Sequence, residues 1–199
     1  MNSITSFCRI RNNRFTTEQL VIEHPAASKD EFSIGLYERL QLNYPKFYKM
    51  DQQCRLGYIA SELVLKGVDV SAYADSFSLV LSNADGSLDT DLRFQQSISS
   101  VASPSLFVYT LPSMVAGEIC IRHKIKGENA FFVTPSFNAE LLIEYVDSLL
   151  AGPGDHACLA GWVNVLDAQH DILLYLVENR RVNGSRAHNM NELNKLYGQ

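Results

Sequence analysis

The sequence predicts an α/β domain built on a mixed, mostly parallel sheet with helices on both faces. Three observations carry this. Apolar runs of strand length alternate with segments of helical spacing, which calls for parallel strands joined by crossover helices. The last two strand-like runs, 156–165 and 171–177, are separated only by a short polar turn around Asp167–His170, so one antiparallel pair closes the sheet. No internal repeat or low-complexity stretch interrupts the pattern, and 199 residues suit one domain.

In chain order, residues 1–45 read as an irregular, polar covering segment, with a short helix possible over 30–42 and a stop at Tyr44-Pro45. A helix starts at the N-cap Asp51 and carries Leu56, Ile59, Ala60, Leu63 and Val64 on one face, interrupted by Gly57 and ended near Gly67. Phe77–Ser82 is a strand, Asn83–Gly86 a turn, and Thr90–Ser99 a helix. After Pro104, the apolar stretch from Phe107 to Ile125 reads as one buried helix. Ala130–Thr134 is a strand and Asn138–Ala151 an amphipathic helix stopped by Gly152-Pro153-Gly154. The polar residues 180–199 are a docking tail or frayed.

Composition excludes several classes. Hydrophobic residues make up 46% and charged residues 20%, as in a globular protein, and the net charge is −5. That charge, with no basic stripe, argues against nucleic acid or an anionic membrane as partner. No apolar run approaches the roughly 18 residues of a membrane span, and the first residues lack the apolar core of a leader, so a soluble cytoplasmic protein is expected. Cys8, Cys54, Cys120 and Cys158 are scattered without a CxxC pair, and reduced, structural thiols are expected. Nothing in the sequence calls for a metal or cofactor.

Three ordered segments carry a resemblance. Residues 49–67 (KMDQQCRLGYIASELVLKG) contain Met-Asp, then Arg-Leu and an alanine-bearing helix. Residues 103–133 run from Ser-Pro through a phenylalanine into the small-residue stretch Ser113-Met114-Val115-Ala116-Gly117 and a strand. Then come Thr134-Pro135-Ser136, a helix, and Leu159-Ala160-Gly161-Trp162, with Gly161 25 positions after Ser136. Together these resemble the N-terminal half of β-ketoacyl synthases, and in particular the short, divergent ketosynthase-like proteins found with aryl-polyene and polyketide pathways. The resemblance implies a thiolase-like half, with Ser136 where that family keeps its nucleophilic cysteine. The family's second half, which supplies the active-site histidines, is not represented.

The resemblance also frames the candidate site. A serine at Ser136 needs a base, because a helix N-terminus stabilises an anion by only about 0.3–2 kcal/mol. None of His24, His123, His156, His170 and His188 stands in a recognisable arrangement with it. Ser136 is therefore a helix-capping turn residue, a residual ligand-binding residue or a degenerate nucleophile. Phe137 would fill space beside it or lean across a dimer interface, and Trp162 replaces the second glycine of Leu-Ala-Gly-Gly as a core, interface or cleft-plugging residue. Phe107 and Met114, within 106–114, are core or line an acyl pocket. Arg180, Arg181 and Arg186 are a solvated tail or meet an acidic acyl carrier protein. The strand at 130–134 is an expected edge that pairs with a partner. The expected function is a non-catalytic ketosynthase-like protein of fatty-acid or polyketide biosynthesis. It would bind an acyl carrier protein and form a homodimer or a heterodimer with a complete ketosynthase. Slow acyl transfer or hydrolysis at Ser136, or unrelated binding on the same fold, are the alternatives.

Overall fold

A computed structural model describes residues 2–23, 29–154, 156–180 and 182–198. Eight strands form one sheet: β1 (Ser3–Arg11), β2 (Arg14–Thr17), β3 (Val21–Glu23), β4 (Phe77–Asn83), β5 (Asn129–Val133), β6 (Ala157–Leu166), β7 (Gln169–Glu178) and β8 (Arg186–Ala187). The path runs β3-β2-β1-β7-β6-β4-β5, with β8 also pairing β1. The helices are α1 (Lys29–Arg39), α2 (Gln52–Val64), α3 (Leu88–Ile98), α4 (Pro104–Phe107), α5 (Met114–His123), α6 (Ala139–Leu149) and α7 (Met190–Gly198).

The sheet is mixed and covered on both faces, as expected, but it is not mostly parallel. Only β4–β5 and β4–β6 pair in parallel. The other pairings are antiparallel. The difference comes from the N-terminus, which is not an irregular cover: β1 lies inside the sheet beside β7, and β2 and β3 extend it. Asn12 and Asn13, at φ 52° and 57°, form the two-residue turn between β1 and β2. Asparagine tolerates that left-handed conformation, which hairpin turns of this kind require at both central positions.

Each face has its own core. Phe32, Leu36, Leu56, Ile59, Val115 and Ile119 from α1, α2 and α5 pack against Leu79, Leu159, Val163, Ile172 and Leu174. Here α2 begins as expected, with Asp51 accepting from the Cys54 N–H at 2.8 Å. Gly57 is required where α2 crosses α5, because a Cβ there would lie 2.4 Å from Val115 Cγ2. The opposite face is covered by α6 and α7: Leu142, Val146, Leu193 and Leu196 pack on Val80, Ala160, Leu173 and Tyr175.

Two further expectations are corrected. The stretch from Phe107 to Ile125 is not one helix: α4 ends at Phe107, a turn carries Pro112, and α5 starts at Met114. Proline lacks the donor a helix interior needs and pushes Leu111 away from helical angles. The tail is neither frayed nor solvated throughout, since β8 pairs with Ser3 and Ile4, and α7 buries Leu193 and Leu196 completely. A nine-residue helix is too short to persist alone in water, so α7 is ordered by its docking. Its two leucines contribute roughly 1.5–3 kcal/mol each.

Candidate functional site

The candidate site forms on the α6 face, where β4 and β5 end beside the middle of β6. One cross-strand row there runs Arg9, Leu173, Trp162, Ser82, Phe132, set by the registers of β1, β7, β6, β4 and β5. Above it, the loop from β5 to α6 carries Ser136. Thr134 N–H donates to Asn83 O at 2.9 Å and Thr134 Oγ1 donates to Ser136 O at 2.9 Å, which fixes the bend. The helix is capped by Asn138, whose Oδ1 accepts from Leu141 N–H at 3.0 Å, and not by Ser136. The Ser136 side chain is exposed, and among the described residues nothing hydrogen-bonds its hydroxyl.

Each described histidine is engaged elsewhere. His123 Nε2 meets Ser61 Oγ at 2.9 Å, and His156 Nε2 lies 3.0 Å from Pro153 O. His170 stacks on Phe32 with ring centroids 4.6 Å apart and accepts from Asn13 N–H. His188 Nδ1 sits 2.8 Å from Asp147 Oδ1. His24 lies outside the described residues, as does Arg181. The described cysteines are free, and burial holds the thiols of Cys8, Cys54 and Cys158 well up, with Cys120 at about 11. None of them is therefore a poised thiolate.

Phe137 and Trp162 come together. Phe137 stands edge-on to Trp162, with centroids 6.1 Å apart at 89°. Trp162 is 3% exposed, and its indole N–H has no partner among the described residues. Phe137 also stacks on Tyr197 of α7, with centroids 4.0 Å apart and planes 10° from parallel. This contact was not legible in the sequence, because nothing local ties residue 197 to residue 137. Phe107 and Met114 are not brought to this place. Phe107, 61% exposed, packs on Phe94, and Met114 packs on the α2 face of the sheet.

Beneath Tyr197 lies a charge cluster equally hidden in the sequence. Arg9, 1% exposed inside β1, places Nη2 2.5 Å from Asp171 Oδ1 and donates from Nη1 to Ile172 O at 2.7 Å. Arg11 grips the same carboxylate through Nε and Nη2 at 3.1 and 3.2 Å. The Tyr197 hydroxyl donates to Asp171 Oδ2 at 2.7 Å, and the Tyr197 carbonyl accepts from Arg9 Nε at 3.2 Å. Both guanidiniums face the Tyr197 ring, at 4.9 and 4.5 Å from its centroid.

Several apolar side chains away from this cluster are exposed. β5 is the sheet's last strand, and Val133 on it is 58% exposed. Val108, Leu111 and Ile121 are also more than half exposed. Single exposed hydrophobics are ordinary, but an outermost strand whose second edge pairs with no described residue is suited to a partner strand. Of the arginines considered for docking, Arg180 pairs with Glu178, and Arg186 pairs with Glu18 and lies over Phe7.

Burial of the histidines sets a pH dependence. It pulls His123, His170 and His188 below the ordinary value of 6.5. The unfolded chain then binds protons that the folded chain refuses, so stability is full above about pH 6.5 and falls as pH drops toward the folded-state values. Each histidine contributes a slope of up to about 1.4 kcal/mol per pH unit. Thermal melting between pH 7.5 and 5.0 should show a falling midpoint, with His188→Gln flattening the decline. A midpoint independent of pH would contradict this.

No protein family and no curated protein matches the sequence. Solved structures do match the fold. The chain is similar to one in the ketosynthase ApeO in complex with its chain length factor ApeC from Xenorhabdus doucetiae, at TM-score 0.56 and 13% identity, over 100% of this chain and 91% of that one. It is also similar to one in the complex of AntDE with AntF, a type II polyketide synthase acyl-carrier protein with its ketosynthase bound to the hexaketide. That likeness has TM-score 0.60 and 12% identity, over 90% of this chain and 62% of that one. Among the described residues no helix is long and apolar enough to cross a membrane. In its mixed sheet and its two helical layers, the chain is ketosynthase-like in fold.

Proposed function

We infer that this protein is a non-catalytic partner subunit, binding a ketosynthase or an acyl carrier protein of polyketide or fatty-acid synthesis. The observation that carries this reading is the outer edge of β5, the last strand of the sheet, with Val133 exposed on it. The two structural neighbours are themselves parts of complexes between a ketosynthase and a chain length factor or carrier protein. The state of the Ser136 corner supports the same reading. Acyl transfer by serine needs a base within about 3.2 Å, and the described histidines are committed to Ser61, Pro153, Asn13 and Asp147. Phe137 closes inward onto Trp162 and Tyr197 instead of leaving room for an acyl chain. As a partner subunit the protein would act as a homodimer, or as a heterodimer with a complete ketosynthase, in the cytoplasm.

Sedimentation tests the partner reading directly. The chain alone at increasing concentration, or mixed with a type II ketosynthase, should sediment as a dimer, and Val133→Asp should abolish that while leaving the circular dichroism unchanged. A chain that stays monomeric in both cases rules the reading out. Intact mass after incubation with an acyl-loaded carrier protein tests the non-catalytic part. No adduct is expected, and an adduct that Ser136→Ala removes would establish the degenerate acyltransferase instead.

A further inference from the structure

A cavity of about 150 Å³ opens between the start of α2, the middle of α3 and α4. Asp30, Lys49, Asp51, Arg55 and Arg93 bring charge to it, and three of these are already satisfied. Arg55 Nη1 donates to Asp30 Oδ1 at 2.9 Å, while its Nε and Nη2 donate to the Phe47 and Tyr48 carbonyls. Asp51 is buried, its oxygens accept from the Cys54 N–H and the Thr90 hydroxyl, and burial pushes its carboxyl up. The other two are cations. Lys49 ends the short 3-10 helix Pro45–Lys49, and Arg93 stands on α3. Both are exposed, and among the described residues neither side chain has a hydrogen bond or an ion pair. Ser105 of α4 lines the same cavity, with its hydroxyl 3.0 Å from Ser103 Oγ, and Leu106 and Tyr109 supply an apolar wall.

We propose that this cavity binds a phosphate monoester, with Lys49 and Arg93 holding the dianion and Ser105 donating to it. Two unpaired cations on separate elements call for a dianion, because a lone carboxylate would leave one positive charge over. Arg93 offers a planar fork and Lys49 a mobile point charge, which together suit a tetrahedral phosphate. The cavity admits that group with a compact ester lying against Leu106 and Tyr109, and nothing larger. Binding also has a structural consequence. α3 buries Thr90 alone, and it is held by the Thr90 bond to Asp51 and by the contact of Phe94 with Phe107. A dianion between Arg93 and Lys49 adds a third tie, from the middle of α3 to the start of α2. The proposal does not rest on the partner reading, since none of these groups lies on β5.

Calorimetric titration of the full-length chain with inorganic phosphate tests this. It is done at about pH 8, where the ion is doubly charged, and at constant ionic strength, so that screening does not vary. Saturable binding is expected. Arg93→Ala and Lys49→Ala should each weaken it about tenfold or more, as the loss of a charge-assisted hydrogen bond implies. Neither side chain has a partner to lose, so the circular dichroism of both variants should match the native chain. Arg39→Ala removes an exposed charge at the other end of α1 from Asp30 and should leave the affinity unchanged. Acetate should bind about tenfold more weakly than phosphate, or worse. Ethyl phosphate, whose ester group meets the apolar wall, should bind more tightly than inorganic phosphate. Saturating phosphate should slow hydrogen exchange over residues 88–107 and leave β6 unchanged. No saturable binding, an equal loss in Arg39→Ala, acetate as tight as phosphate, inorganic phosphate tighter than ethyl phosphate, or unchanged exchange over 88–107 would each overturn the proposal.

Discussion

Gly161→Ala destabilises the protein by about 3 kcal/mol or more, read as a fall in the urea midpoint at unchanged slope. The reason is local and severe. A Cβ at Gly161 would lie 1.9 Å from Leu173 O and 2.9 Å from Leu174 Cδ2, on the strand that pairs with it. The nearest obstacle is backbone of β7, which cannot swing aside as a side chain tip can. β6 is flanked by β4 and β7, so it has no free edge toward which to move. Gly117 in α5 is the control, because a Cβ there meets nothing within 4 Å. Gly117→Ala should be neutral or stabilising by up to about 1 kcal/mol, the helix-interior difference between the two residues. If the two substitutions cost the same, the close approach of β7 is not what Gly161 serves.

That glycine also shows what the sequence could and could not reveal. The Leu-Ala-Gly-Trp strand and its 25-residue distance from Ser136 were readable because strand, corner and helix lengths are set by one parallel crossover. Asp51, the α6 helix and the β6–β7 hairpin were readable for similar reasons: each rests on local capping, periodicity or a short turn. β1 was not readable. Its register shifts between Ile4 and Ser6, so the inward-facing set changes parity, and its largest fully buried side chain is an arginine. A bulge and a buried charge remove both signals by which a half-buried strand is recognised. The break between α4 and α5 did have a signal, Pro112, which the surrounding apolar run obscured. Ser136, Phe137 and Trp162 were singled out from sequence, and the structure brings Phe137 and Trp162 into contact. Tyr197, Arg9, Arg11 and Asp171 were not, because they meet only through pairings between the two ends of the chain.

Because the buried charge lies at the centre of that hidden set, Asp171→Ala should have the second large effect, a loss of about 3–5 kcal/mol. Arg9 is sealed in the interior, and Asp171 is the carboxylate paired with it. Without Asp171 the guanidinium keeps hydrogen bonds to the Ile172 and Tyr197 carbonyls, yet its charge stands uncompensated beside a second cation, Arg11. The converse substitution is not equivalent. Arg9→Met leaves Asp171 partly exposed, still gripped by Arg11 and still accepting from Tyr197, so it should cost less. The double variant Arg9→Met/Asp171→Ala should be more stable than Asp171→Ala alone, since it removes the stranded charge that makes the single change expensive. Denaturant midpoints of the three variants settle the order. If Arg9→Met proves the costliest, Arg9 is held mainly by its carbonyl bonds and packing, and the ion pair is secondary.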